Sequence, residues 1–106
     1  MEPLTRVTAS TIDVLAALLD HDGSVWGLLV IKATDRPAGT VYPILERLED
    51  RGWITSTWEA DSERSGPRRR LYEFTTDGRA AAVDACAAFR RRQAPERRPS
   101  GRTVTS

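Results

Sequence analysis

The chain contains one cysteine, Cys86, one histidine, His21, and one lysine, Lys32. A single cysteine excludes an internal disulfide and any zinc site built on several thiolates. With one histidine besides, no glycine-rich phosphate loop and no carboxylate pair in a cleft-like setting, the inventory of an enzyme is missing, and no cofactor or metal is expected. No run of about 18 apolar residues is present, so no membrane-spanning helix is expected. The start, with Glu2 and Pro3, lacks the basic and apolar stretches of a signal peptide. These absences point to a cytoplasmic protein that does not engage the membrane. His21, between Asp20 and Asp22, reads as an exposed loop residue, and Cys86, in an alanine-rich stretch, as a small packed hydrophobe rather than a thiol sensor.

What is present suits one small domain. Of 106 residues, 1–7 are expected as a flexible start, 8–92 as the folded domain, and 93–106, rich in Pro, Arg, Ser and Thr, as a disordered arginine-rich tail. The net charge of +1 hides an asymmetry. Residues 1–63 carry 5 Lys/Arg against 11 Asp/Glu, a net of −6, and residues 64–106 carry 11 against 4, a net of +7. The basic part suits a partner bearing phosphates, which the acidic part would repel.

Periodicity orders the elements. From Thr8 to Asp20, Ile12, Leu15, Ala16, Leu18 and Leu19 fall at helical spacing, with Ser10 and Asp13, or Thr8, as the cap. Ser24 can cap a short second helix from Trp26 to about Ala33, whose dense apolar run predicts that it is largely buried. A third helix ends at Gly52, a left-handed cap residue. Thr40 as its N-cap keeps Pro43 within the first turn, where a missing N–H is harmless, whereas a start near Pro37 would predict a distortion at Pro43. Period two then replaces period 3.6: Ile54, Ser56 and Trp58 alternate with Thr55, Thr57 and Glu59, and a second strand covers Leu71 to Thr75. The Asp, Ser, Gly and Pro between them, followed by Arg68, Arg69 and Arg70, suit a ribbon with a solvated basic tip. Thr76 is expected to cap a last helix reaching Arg92, with alanine at six of the ten positions from Ala80 to Phe89.

Three helices, a two-stranded ribbon and a final helix make an α+β, mostly α, winged helix-turn-helix, in which the third helix enters the major groove and the wing reaches the flanking backbone. The residues also resemble one family. The string GTVYPILERLEDRGWI, Gly39 to Ile54, is similar to the recognition-helix signature of PadR-type regulators. Trp26-Gly27 stands where that family usually has Tyr-Gly, and GPRRRLYEFTTDG, Gly66 to Gly78, matches at the wing and the last helix. The resemblance covers about Thr8 to Arg92 and implies a homodimeric, usually repressing transcription factor that dimerises through its C-terminal helix. A single helix after the wing corresponds to the shorter members.

The candidate DNA contacts are Thr40, Tyr42, Pro43 and Arg47 on the third helix and Arg68, Arg69 and Arg70 on the wing, since arginines neutralise phosphates and groove-facing side chains select sequence. Three bland readings stand beside them: Thr40 as a cap, Arg47 as a partner of Glu46, Asp50 or Asp13, and Arg68, Arg69 and Arg70 as a solvated charge run. Glu46, Glu49 and Asp50 are expected to turn sideways toward Arg47 and Arg51. Val83, Cys86, Ala87 and Phe89 are the candidate dimer contacts. Trp26, Trp53 and Trp58 are candidates for a dimer-centre or small apolar effector site, as in some relatives of this fold, or else for core and ribbon packing. The expected partners are double-stranded DNA, at an inverted repeat, and a second copy of the chain. The alternative from another class is a winged helix used for protein contacts, which the acidic first part of the chain favours.

Overall fold

The computed structural model describes residues 1–4, 7–59 and 69–93. The chain runs through α1 (Ala9–Leu19), β1 (Val25–Trp26), α2 (Gly27–Thr34), α3 (Ala38–Asp50), β2 (Ile54–Trp58), β3 (Arg70–Phe74) and α4 (Thr76–Gln93). The expected order is present with one addition, since three strands, not two, pair antiparallel in the order β1-β3-β2. Val25 lies opposite Tyr72 and Trp26 opposite Leu71, so the second helix begins one residue later than expected. Two residues are too few to show a period, which is why β1 is silent in the sequence. Ser24 does not cap α2; its hydroxyl donates to Glu73 across the sheet at 3.3 Å.

The core forms where three helices and the ribbon meet. α1 contributes Ile12, Val14, Leu15, Ala17 and Leu18, α3 contributes Val41, Ile44, Leu45 and Leu48, and β2 closes the end with Ile54. α2 buries only Gly27 and Val30 and leaves Leu29 exposed, a correction to the expected burial. Leu28 and Ile31 are half-buried, and Lys32 and Ala33 are exposed like Leu29. Ala82 and Cys86 bring α4 against α1, the close approach that small side chains allow.

Local bonds fix the element ends. The Thr8 hydroxyl, not Ser10, accepts from the Thr11 N–H at 3.2 Å and caps α1. α3 starts at Ala38, two residues before the expected cap Thr40, so Pro43 lies inside the helix, which runs on unbroken to Asp50. Proline offers no N–H to the Gly39 carbonyl; both residues are exposed, which leaves that carbonyl to water. Gly52 takes φ 82° as expected. Its N–H donates to the Glu49 carbonyl at 3.1 Å, and the Trp53 N–H donates to that of Leu48 at 2.9 Å, closing the helix in a Schellman arrangement.

Two further ends differ from expectation. Thr75, not Thr76, caps α4: its hydroxyl accepts from the Gly78 N–H at 2.9 Å and lies 3.0 Å from the Gly52 carbonyl oxygen, tying the helix to the α3–β2 turn. Met1–Leu4, expected to hang free, lie along that same turn. The Glu2 N–H donates to the Arg51 carbonyl at 2.8 Å, the Trp53 indole N–H to the Glu2 carbonyl at 2.6 Å, and the Arg51 guanidinium to the Pro3 carbonyl at 2.7 Å.

Burial has a consequence in alkali. It pushes the Cys86 thiol above its ordinary 9.0, partly offset by Arg90, and the Tyr72 phenol above its ordinary 10.0. Both folded-state values are raised, so the stability they contribute is complete below the ordinary values and is lost as pH rises through the folded ones. Urea melts should therefore show a midpoint that is level through neutral pH and falls above about 9. A disulfide reagent should label Cys86 at neutral pH only as fast as the chain unfolds, and rapid labelling of the folded protein would contradict this burial.

Candidate nucleic-acid interface

The solvent face of α3 carries Gly39, Tyr42, Pro43, Glu46, Arg47 and Asp50. The Tyr42 ring packs close to Gly27: a Cβ on that glycine would lie 3.1 Å from the Tyr42 ring, 3.2 Å from its hydroxyl and 3.2 Å from Tyr72. The Trp-Gly pair noted in the sequence thus sits at a close approach, where a side chain in place of Gly27 would press the Tyr42 and Tyr72 rings outward by a few tenths of an ångström. Thr40 is half-buried and does not cap; its N–H donates to the Pro37 carbonyl at 2.9 Å. Arg47 lies on the flank of α3 beside Leu4 and Thr11.

Among the described residues the ion pair is Arg36 with Asp13, at 2.8 Å. Asp13 is therefore engaged away from Arg47, and the pairing of Arg47 with Glu46 or Asp50 does not form. Nor do the α3 carboxylates reach Arg51, whose guanidinium goes to Pro3. Glu49 instead accepts from the Ser56 hydroxyl at 2.6 Å, which pins α3 to the ribbon.

The wing base is an arrangement of arginines on tryptophans. Trp58 and Arg70 are register partners, and the Arg70 guanidinium lies 5.0 Å from the Trp58 ring centroid. That of Arg69 lies 3.9 Å from the ring of Trp26, with its Nε buried and without a hydrogen-bond partner. The Arg69 backbone is clamped to Glu59, accepting from the Glu59 N–H at 2.7 Å and donating to its carboxylate at 3.3 Å. A guanidinium stacked by its face is preorganised and keeps N–H edges for phosphate. Arg68 lies outside the described residues, as do the ribbon tip and the tail from residue 94.

The helix face and the wing base meet around one cavity of about 580 Å³, lined by Trp26, Tyr42, Glu46, Glu49, Trp58, Arg70 and Tyr72. Sequence reasoning missed it because its walls come from α3 and all three strands, at separations no local pattern reports. The cue available was a tryptophan on each strand flanking β3, Trp26 opposite Leu71 and Trp58 opposite Arg70, beside an arginine run.

The three tryptophans divide. Trp53 is a core residue, Trp26 is half-buried, and Trp58 is 58% exposed. The four residues expected at a dimer contact divide as well. Val83 is 51% exposed, Ala87 and Phe89 are half-buried, with Phe89 packed against the core, and Cys86 is buried in the chain's own core. His21 is exposed, as expected, and its carbonyl accepts from Arg79 at 2.6 Å.

A family model, the transcriptional regulator PadR-like family, matches residues 19–84. Among solved structures the chain is similar to Bordetella bronchiseptica BpsR, whose DNA binding is regulated by 6-hydroxynicotinic acid: identity is 30%, the match covers 89% of this chain and 67% of that one, and the TM-score is 0.67. It is also similar to S. aureus MepR in complex with DNA, at 25% identity, 85% and 70% coverage and a TM-score of 0.61. A PadR-like transcription factor from Bacteroides fragilis shares the fold at 21% identity, 79% and 84% coverage and a TM-score of 0.58. No curated protein matches the chain. The family model spans more than half of the chain and the fold is the winged helix of these regulators, so the chain belongs to the PadR-like family, DNA-binding transcriptional regulators rather than enzymes.

Proposed function

We propose that this regulator acts as a homodimer on an inverted-repeat operator and represses transcription. In this reading the exposed first turns of α3 enter the major groove while the wing arginines hold the flanking backbone. The observation that carries it is the convergence of Tyr42, on the outward face of α3, with Arg70, at the wing base, on the rim of one cavity. Helix and wing thus present one continuous surface to a duplex. Thr40, Tyr42, Pro43 and Arg47 would then meet bases or sugar-phosphate, and Arg68, Arg69 and Arg70 phosphates. DNA binding by BpsR and MepR, on similar folds, supports this. Among the described residues no helix is long and apolar enough to cross a membrane. A cytoplasmic site of action suits the role.

Two-fold symmetry places half-sites about one helical turn apart. Selection of bound fragments from the source genome should return one inverted repeat shared by the fragments; fragments without a common motif would overturn sequence-specific binding.

The partner surface for the second copy lies on the outward face of α4, where Ala80, Val83 and Ala87 stand at helical spacing beside Asp84 and Arg90. A Val83→Asp change, which doubles across a two-fold interface, should weaken dimerisation roughly a hundredfold while leaving the melting curve of the monomer intact, because the site is exposed. Mass measurement in solution reads this directly, and a wild-type chain that stays monomeric at micromolar concentration would remove the dimer. Glu46 and Asp50 on the open face of α3 favour the other reading, a winged helix that docks a basic protein surface. That reading requires that no duplex bind in a salt-sensitive manner.

A further inference from the structure

We propose that the cavity between α3 and the ribbon is a binding site for a flat, delocalised organic cation of the guanidinium or amidinium type, and that its occupant and DNA exclude each other. The binding half stands on the cavity alone; the exclusion half rests on the DNA-binding function proposed above.

The walls define the ligand. Among the described residues, two carboxylates, Glu46 and Glu49, stand against one guanidinium, Arg70, a formal lining charge of −1, and four aromatic rings surround them. An anion entering this space would meet the carboxylates, and a neutral molecule would leave one of the two negative charges without a counter-charge. The rings in turn already take planar cations: one guanidinium lies 3.9 Å from the Trp26 ring centroid and another 5.0 Å from that of Trp58. Cation–π attraction is strongest at tryptophan, and aromatic cages with acidic rims hold cations by combining the two attractions. Arg70 occupies one such place from within the chain, so a ligand cation competes with it for the Trp58 face, which is 58% exposed and reachable.

Position and size agree. Glu49 is fixed by the 2.6 Å bond from Ser56, so one carboxylate is preset rather than free to swing away. Tyr42 and Glu46, one helical turn apart on α3, put a ring and the second carboxylate on the same wall. The volume of about 580 Å³ falls within the range that holds drug-sized molecules. Tyr42, Glu46 and Arg70 also lie on the surface assigned to DNA, so an occupant covers the helix face and takes Arg70 off its ring.

Calorimetry on the full chain with 1-naphthylguanidinium and its neutral isostere 1-naphthylurea tests the binding half. The cation should bind at least tenfold more tightly than the urea. The paired change Glu46→Gln and Glu49→Gln should remove most of that preference, and Trp58→Ala should weaken binding of the cation at least fivefold. These positions are exposed or half-buried, and unchanged melting curves confirm that the fold survives. Equal affinity for cation and urea, or a cation affinity indifferent to these changes, overturns the site, as does the absence of heat at millimolar probe. For the exclusion half, the probe should lower the apparent affinity of the wild-type chain for duplex DNA and have little effect on the paired glutamine variant, which controls for action of the probe on DNA. Probe binding without loss of DNA affinity overturns exclusion alone. A chain that binds the probe but no duplex retains the cation site and contradicts the DNA-binding function.

Discussion

Replacing Arg69 and Arg70 together by alanine should weaken binding to operator and random DNA alike, by about thirtyfold at physiological salt, and lower the slope of log affinity against log salt by about two. Each phosphate contact releases about 0.9 of a counterion, which at that salt corresponds to roughly fivefold in affinity, and two contacts multiply. The effect should be uniform across sequences because phosphates carry no sequence information. The stacks on Trp26 and Trp58 strengthen the expectation, since a guanidinium held on a ring loses less conformational freedom when it meets a phosphate than a freely rotating side chain does. Changes at Tyr42 or Arg47 should act differently, altering preference between sequences more than the salt slope. Unchanged affinity in the double alanine variant would remove the wing from the account.

Gly78→Ala should produce the largest loss of stability of any conservative change in the domain. A Cβ at that position would lie 1.9 Å from the Trp53 carbonyl oxygen, 2.6 Å from its carbon and 2.8 Å from the Thr75 hydroxyl. The first two are backbone atoms of a turn pinned by the Thr75 hydroxyl, by the Schellman bonds and by Glu2, so the clash cannot be relieved by a rotamer change. Helix propensity alone would favour alanine over glycine by about 1 kcal/mol, so the sign of the result decides between local preference and packing. The structure requires a loss of about 3 kcal/mol or more, equivalent to a fall in Tm of about 15 °C in a domain of this size. An unchanged or higher Tm would contradict the close approach of α4 to the α3–β2 turn.

Features resting on neighbours in sequence were legible in it. Gly52 as a left-handed cap, the strand from Ile54 to Trp58 and the alanine-rich last helix needed only local periodicity and backbone sterics, and the structure holds each of them, although the alternation fails at Trp58, which is exposed. Features resting on distant partners were not. β1 exists because Val25 and Trp26 find the edge of β3, and the cap of α4 falls on Thr75 because that hydroxyl also reaches the α3–β2 turn. The acidic residues of α3 show the same division. The helical spacing of Glu46, Arg47 and Asp50 offered local ion pairs, but Glu49 goes to Ser56 and Arg51 to Pro3, contacts set by how the ribbon and the first residues lie over the helix. The candidate interface was therefore visible as a set of residues, while the cavity that joins helix to wing needed three dimensions.

The central claim is that α3 and the wing form one DNA-binding surface whose attraction comes from arginine. Its most direct test is the affinity of the unmodified chain for a duplex recovered by genomic selection, measured over a range of salt alongside random DNA. The account predicts a log–log slope of about −2 or steeper for both duplexes, with the selected one bound more tightly throughout. Affinity indifferent to salt, or no binding to either duplex, would contradict it.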